Sequence, residues 1–215
     1  MHPADAVRPR PRGALHAAGF PLVLAGGAVL VLSTSSTRAS LAALLFTACS
    51  ALLLGTSALF HLGSWTPKVH TILARTDHAN IYLAMAGTFT PFALLSLPGR
   101  LSSWVLVAFW TAALLGAATR VFLPRTPRWA ATGLYIVLGW AAVFTLPQIE
   151  HRAGAAAAAL ILIGGVLYTA GGVVYATRWP NPAPRWFGFH EVFHAHTLAA
   201  MGCQFTAVFL VCSRA

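Results

Sequence analysis

Acidic residues are scarce in this sequence, because only four Asp and Glu stand against fourteen Lys and Arg among 215 residues. Charged residues of both signs make up only 8% of the chain, whereas a soluble domain carries roughly 25%. So little charge cannot cover a water-facing surface, which excludes a soluble globular protein. The three cysteines occur without C-x-x-C spacing, so no disulfide framework is expected.

Long apolar runs make up most of the remainder. Seven runs reach the length of about 20 residues that spans a bilayer as a helix, and short segments rich in Pro, Gly and charge separate them. The sequence therefore predicts an all-α integral membrane protein, with a single seven-helix transmembrane domain over residues 14–215 after a short basic tail over residues 1–13. The predicted spans are 14–33, 40–62, 79–98, 102–122, 129–148, 155–176 and 188–212.

The distribution of Lys and Arg between the spans predicts the orientation. The side that holds the N-terminus has ten of them: Arg8, Arg10, Arg12, Lys68, Arg75, Arg120, Arg125, Arg128, Arg178 and Arg185. The other side has four: Arg38, Arg100, Arg152 and Arg214. Because cytoplasmic loops are enriched in Lys and Arg, we expect a cytoplasmic N-terminus and an outside C-terminus, in the inner or plasma membrane. The net charge of +10 then reflects topology and membrane lipid head groups, and no nucleic-acid partner is expected.

Polar residues concentrate at the cytoplasmic ends of three predicted spans. Ser57 and His61 end the second span, Asp77 lies at the entrance to the third, and His190 and His194 begin the seventh. Each pair has a spacing of four residues, which places its members on one helix face. Ionisable groups in transmembrane helices are costly and face the bundle interior with a partner. We therefore expect these five side chains to converge in one layer of the membrane.

The chemistry of this set favours a metal. Three neutral imidazoles suit zinc with a fourth position open for water, and the nearby carboxylate of Asp77 can take a proton from that water. Ser57 can donate a hydrogen bond to a developing oxyanion. Two alternatives stay open: Asp77 as the N-cap of the third helix, and Ser57 bonded to a backbone carbonyl of its own helix.

The letters H-E-x-x-H at the start of the seventh span also spell a zinc-protease motif, in which Glu191 would be the general base. A protease of this kind needs a third ligand from elsewhere. Asp77 would have to be that third ligand, and His61 would then have no role in the site. We therefore interpret Glu191 as a first-turn acid that interacts with the helix dipole or with Arg185. His196 points away from the face of the histidine pair and is excluded as a ligand.

The motifs SALFH, DHANIYLAMAGTFTP and GFHEVFH, in this order on spans two, three and seven, resemble the hemolysin III family of bacterial membrane proteins. That family belongs with the progestin and adipoQ receptors, whose distant relatives include alkaline ceramidases. The resemblance covers the chain from about residue 15 to its end and implies a seven-helix bundle with zinc near the cytoplasmic face. It implies that His61, His190 and His194 hold the zinc, that Asp77 holds a water molecule beside it, and that Ser57 completes the site.

The resemblance also implies a function. The site is similar to that of lipid amide hydrolases, so we expect a zinc-dependent hydrolase of a lipid amide or ester whose substrate enters from the bilayer. Phe60 and Phe89 stand where many members have Tyr, which removes two hydroxyls near the site but no metal ligand. Two alternatives remain: a receptor or sensor with structural zinc, and a pore. A pore needs a lining along its whole length, and only the third and seventh spans have polar stripes.

Reporter fusions test the predicted orientation. We expect a cytoplasm-active reporter at the N-terminus and a periplasm-active reporter at the C-terminus both to be active, because of the ten-to-four bias in Lys and Arg. Exchanging the two reporters gives the control pair, which we expect to be inactive. Activity of the exchanged pair alone would mean that the orientation is the reverse.

Overall fold

The structure, a computed structural model, describes residue 9 and residues 11–123 and 126–214. These residues are almost entirely helical and include no strand. Seven helical segments are long and apolar enough to cross a membrane, which confirms the predicted all-α, seven-span architecture. Most of the predicted tail over residues 1–13 lies outside the described residues, as do Arg8, Arg10 and Arg125 from the orientation argument. The orientation itself stays a prediction.

Eight α-helices make up the described part of the bundle: α1 (Ala14–Leu32), α2 (Thr37–Leu62), α3 (Pro67–Ser96), α4 (Gly99–Phe122), α5 (Arg128–Ala141), α6 (Leu146–Ala153), α7 (Ala155–Thr177) and α8 (Phe189–Cys212). A short 3-10 turn joins α5 to α6, and the two together form the fifth span. Sequential helices pack side by side from α1 to α4, and α7 packs along α8. Because α8 also contacts α1, α2, α3 and α6, and α3 contacts α5, α6 and α8 besides its two sequence neighbours, these two helices form the centre of the bundle.

The third helix begins at Pro67, well before the predicted start at residue 79. Thr66 is the N-cap, and its hydroxyl accepts a hydrogen bond of 3.4 Å from the Val69 N–H. Proline is favoured at the next position because its fixed φ suits a helix start. Asp77 therefore lies about three turns inside α3, and the alternative that it is the N-cap is wrong.

The fifth span is longer than predicted and is interrupted. Its helical structure continues past residue 148 to Ala153, where Gly154 with φ of 85° ends it. Pro147 has no N–H to donate, and in a continuous α-helix its ring would clash with the carbonyl group of Val143, four residues earlier. The chain accommodates this by the tighter 3-10 turn over Ala142–Thr145.

The outer surface of the bundle is apolar. Leu22, Trp104 and Val137, on three different spans, are each 72% exposed. Exposed apolar side chains spread over so many helices are unsuited to water and match a hydrocarbon environment. Inside, large apolar side chains such as Phe46, Phe92 and Ile149 pack together toward the end of the bundle that holds the α6–α7 junction. The buried ionisable side chains lie toward the opposite end.

Candidate metal centre

Three imidazoles from two helices meet at one end of the bundle. His61 lies on the last turn of α2, and His190 and His194 lie on the first two turns of α8. One ring nitrogen from each lies within 4.8 Å of the other two, and the Nε2 atoms of His61 and His190 are 3.1 Å apart. His61 and His194 are buried, at 7% and 2% exposure. The structure thus brings together all three histidines that the sequence proposes as ligands.

The geometry of this triad fits a zinc ion. Zinc lies about 2.0–2.1 Å from each histidine nitrogen, so two such nitrogens are at most about 4.2 Å apart. The His61–His190 pair is already within that range, and the widest pair needs to close by only a fraction of an ångström. The rings meet at steep angles of 58–75° rather than stacking. Nδ1 of His194 is buried without a hydrogen-bond partner, which is unusual for a buried polar atom and fits an imidazole that binds an ion.

Asp77 and Ser57 approach the triad from two sides. The Oδ2 atom of Asp77, on α3, lies 4.0 Å from Nε2 of His61. Ser57, one turn before His61 on α2, lies beside the Asp77 carboxyl group and 2.8 Å from Nδ1 of His16. This hydrogen bond reaches another helix, so the alternative that Ser57 merely bonds the backbone of α2 is wrong. All five residues that the sequence proposes for the site are therefore neighbours.

His16, on the first turn of α1, belongs to the same cluster but was missed by the sequence argument. It is 3% exposed, and its ring stacks on that of His194 with centroids 3.7 Å apart and planes at 13°. Ligands of one ion radiate from it, so a ring stacked in parallel on His194 is a neighbour of the triad rather than a fourth ligand. The available signal was its position just inside the first span, on the side predicted for the other site residues.

Two further histidines lie near the site but outside it. His78, adjacent to Asp77, has Nε2 2.9 Å from the Tyr175 hydroxyl and Nδ1 2.6 Å from the Ala74 carbonyl oxygen. His196 has Nδ1 2.8 Å from the carbonyl oxygen of Val192 in its own helix. Neither belongs to the triad, which agrees with the exclusion of His196 on helical spacing.

Glu191 supports the start of α8 and does not face the cavity. It is 2% exposed, and its Oε2 accepts a hydrogen bond of 3.0 Å from the Gly188 N–H. Its Oε1 lies 3.5 Å from Nε of Arg12. The predicted role as a first-turn acid at the helix N-terminus is confirmed. Of the two alternatives for its interaction, the one with Arg185 is wrong, because the guanidinium beside Glu191 belongs to Arg12. Both oxygens are thus engaged at the helix end, which removes the general base that a protease would need.

A cavity of about 180 Å³ extends from the triad into the bundle. Ser57, Asp77, His190 and His194 line its polar end. Thr197 and Gln204 continue the polar seam of α8 along it, as the spacing on that helix indicates. Most of its remaining wall is apolar and includes Phe89, Phe92, Phe109, Trp140, Ile161 and Phe193. The site therefore combines polar chemistry at one end with space for an apolar group.

The fold and the site together define the class of this protein. It is a multi-pass membrane protein with seven spans and a histidine triad at the polar end of an apolar cavity. The profile of haemolysin-III related proteins matches residues 5–205, so the chain belongs to the haemolysin-III family. This membership confirms the resemblance found in the sequence motifs. Together with the seven apolar helices, it makes the chain a multi-pass membrane protein, consistent with the plasma membrane.

Two curated relatives are similar to the chain over about two thirds of its length. Hemolysin-3 of Bacillus cereus is 31% identical over 142 residues, which are 66% of this chain and 62% of that protein. The Hemolysin-3 homolog of Bacillus subtilis (strain 168) is 31% identical over 146 residues, which are 67% of this chain and 65% of that protein. The match thus spans slightly less than two thirds of the length of each relative.

The structural role of Glu191 predicts a change in stability without a change in chemistry. We expect Glu191→Ala to lower the free energy of unfolding by about 1 kcal/mol, because the α8 N-terminus loses its capping carboxylate, and to keep the wild-type metal content. Thermal unfolding in detergent and metal analysis measure the two properties. Glu150→Ala, which removes an exposed carboxylate on α6, is the matched control. Metal loss from Glu191→Ala at unchanged stability would show that this carboxylate serves the site.

Proposed function

We propose that the chain is a zinc-dependent hydrolase of a lipid amide or ester. The supporting observation is that three imidazoles, a carboxylate and a hydroxyl meet at the polar end of an otherwise apolar cavity. His61, His190 and His194 would hold the zinc ion. When bound in such a site, zinc polarises a carbonyl group and makes water nucleophilic at neutral pH.

Asp77 is the proposed proton acceptor. Its carboxylate lies 4.0 Å from Nε2 of His61, so one water molecule beside the triad is within its hydrogen-bonding reach. The described residues provide no Lys or Arg ion pair for Asp77, since its one close pairing is with His61. A carboxylate that is not neutralised by a cation stays available to accept a proton and later to return it to the leaving group.

Ser57 is the proposed hydrogen-bond donor to the substrate carbonyl oxygen. Ser57 is 1% exposed, and it lines the cavity between His16 and Asp77. With Nδ1 of His16 as the donor to Ser57 Oγ at 2.8 Å, the Ser57 proton is free to turn from Asp77 to the carbonyl oxygen when negative charge develops there. In hydrolases, one donor already in place for such an oxygen lowers the activation free energy by about 3 kcal/mol.

The cavity favours a lipid as the substrate. Its polar end would hold the amide or ester group beside Asp77, while the apolar wall would hold an acyl chain. A pore is less well supported, although the relatives are named Hemolysin-3. A conducting path needs a polar lining along its whole length, and this cavity ends against apolar side chains such as Phe92, Leu146 and Ile161.

Metal analysis of purified protein tests the ligand assignment. We expect one zinc ion per chain, and we expect His61→Ala, His190→Ala and His194→Ala each to lose most of it, because two imidazoles alone bind zinc weakly. His196→Ala, which removes a histidine from the same helix but not from the triad, is the control and should keep the zinc. Full zinc occupancy in His61→Ala would contradict the assignment.

Asp77→Asn separates a hydrolase from a protein whose zinc only clamps α2 to α8. Asn keeps the shape of the side chain but accepts no proton, so we expect turnover to fall about 10²–10⁴-fold while zinc content and thermal stability persist. The measurement is hydrolysis of a panel of long-chain N-acyl and O-acyl lipids by zinc-checked proteins. Thr71→Ala, on the exposed surface of α3, is the control.

Two results would favour the clamp. One is equal hydrolysis rates in wild type and Asp77→Asn. The other is the absence of hydrolysis by zinc-loaded wild type across the whole panel.

A further inference from the structure

A second polar cluster lies between α3, α4 and α5, at the same end of the bundle as the triad. Its centre is Arg120, on the last turn of α4. The rings of Tyr82 on α3 and Tyr135 on α5 contact each other with centroids 4.7 Å apart. The Tyr82 ring packs directly over Gly116, which lies one turn before Arg120 on α4, and the Arg120 charge acts on both phenols. We name Arg120, Tyr82 and Tyr135 the Arg120 site; the proposed hydrolysis uses none of them.

The polar atoms of the Arg120 site have almost no partners within the protein. Nε and Nη1 of Arg120 and the hydroxyls of Tyr82 and Tyr135 are all buried without a hydrogen-bond partner. Tyr82 is 1% exposed, and its hydroxyl lies beside that of Thr119, which donates to the Gly116 carbonyl oxygen and can still accept from Tyr82. A buried donor left unsatisfied is destabilising, and more so if it is charged. The three remaining atoms, two of Arg120 and one of Tyr135, together favour a ligand with several acceptor oxygens.

The surroundings of the Arg120 site are positively charged. Arg75, on α3, lies next to the Arg120 site. Its Nη1 donates to the carbonyl oxygen of Val121 at 3.3 Å, and its Nε is buried without a hydrogen-bond partner. Arg128 lies with its guanidinium 5.2 Å from the Tyr175 ring centroid, and both Arg128 and Arg120 interact electrostatically with His78.

Among the residues that the structure describes, Arg75 and Arg120 form no ion pair with a carboxylate. The two ion pairs found there join Arg12 to Glu191 and His61 to Asp77. A partly buried guanidinium without a carboxylate partner is costly where the dielectric constant is low. This uncompensated positive charge favours an anion as the ligand of the Arg120 site.

We propose that the Arg120 site binds the phosphate group of a phospholipid. A guanidinium fork matches two phosphate oxygens, and the two phenols can donate to the others. Arg120 lies two residues before the end of a membrane-spanning helix, at the depth of the lipid head groups. Tyr135 also lines the cavity, so a lipid with its phosphate at the Arg120 site can place an acyl chain there.

This binding requires neither zinc nor hydrolysis, so it can hold or fail independently of the proposed function. The test uses the full chain, purified in detergent, and native mass spectrometry with two lipids that have the same chains: dioleoyl phosphatidic acid and dioleoylglycerol. We expect phosphatidic acid to bind at least about tenfold more tightly, and Arg120→Gln to abolish that preference, because a charge-assisted hydrogen bond is worth about 1.5–3 kcal/mol.

Arg100→Gln is the matched control, because Arg100 is exposed at the other end of the same helix and we expect the preference to persist. If Arg120→Gln does not fold, the double variant Tyr82→Phe/Tyr135→Phe keeps the charge and shape and should reduce the preference. An unchanged preference in either folded variant would overturn the proposal, as would equal binding of the two lipids. Binding of inorganic phosphate alone, without any preference for phosphatidic acid, would assign the site to free phosphate instead.

Discussion

The structure depends on one constraint: a polar side chain inside an apolar bundle has to find its partner within the protein, because hydrocarbon provides none. The chain meets it by collecting its buried ionisable groups at one end. There Ser57 bonds His16, His61 faces His190, and Glu191 bonds the start of its own helix. The opposite end is closed by apolar packing. The location of the site follows from this separation.

The same constraint explains how much of the site the sequence predicts. Counting spans determines the side of the membrane on which each helix ends, and a spacing of four residues places two side chains on one face. Neither step requires accurate helix boundaries. The start of α3 was misplaced from Pro67 to residue 79, yet Asp77 still lies beside His61, because an error along a helix changes neither its direction nor the faces it presents.

Features that depend on local capping or on which helices are neighbours cannot be predicted in this way. Hydropathy locates the apolar segment of α3, but its true start is determined by Thr66 and Pro67 in the polar region. His16 is part of the site because α1 packs against both α2 and α8. The sequence alone does not reveal this packing of helices. It therefore gives no reason to place the His16 ring on that of His194.

The two polar clusters share one helix without neutralising each other. Asp77 on α3 lies near His61 on one side and interacts electrostatically with Tyr135 on the other. A guanidinium in direct contact with Asp77 would hold its carboxylate in an ion pair and remove it as a proton acceptor. In the structure Arg120 interacts instead with the phenols of Tyr82 and Tyr135. Tyr135 thus interacts with both Arg120 and Asp77. Under the two proposals together, a lipid whose phosphate is held at Arg120 would present its acyl ester to Asp77.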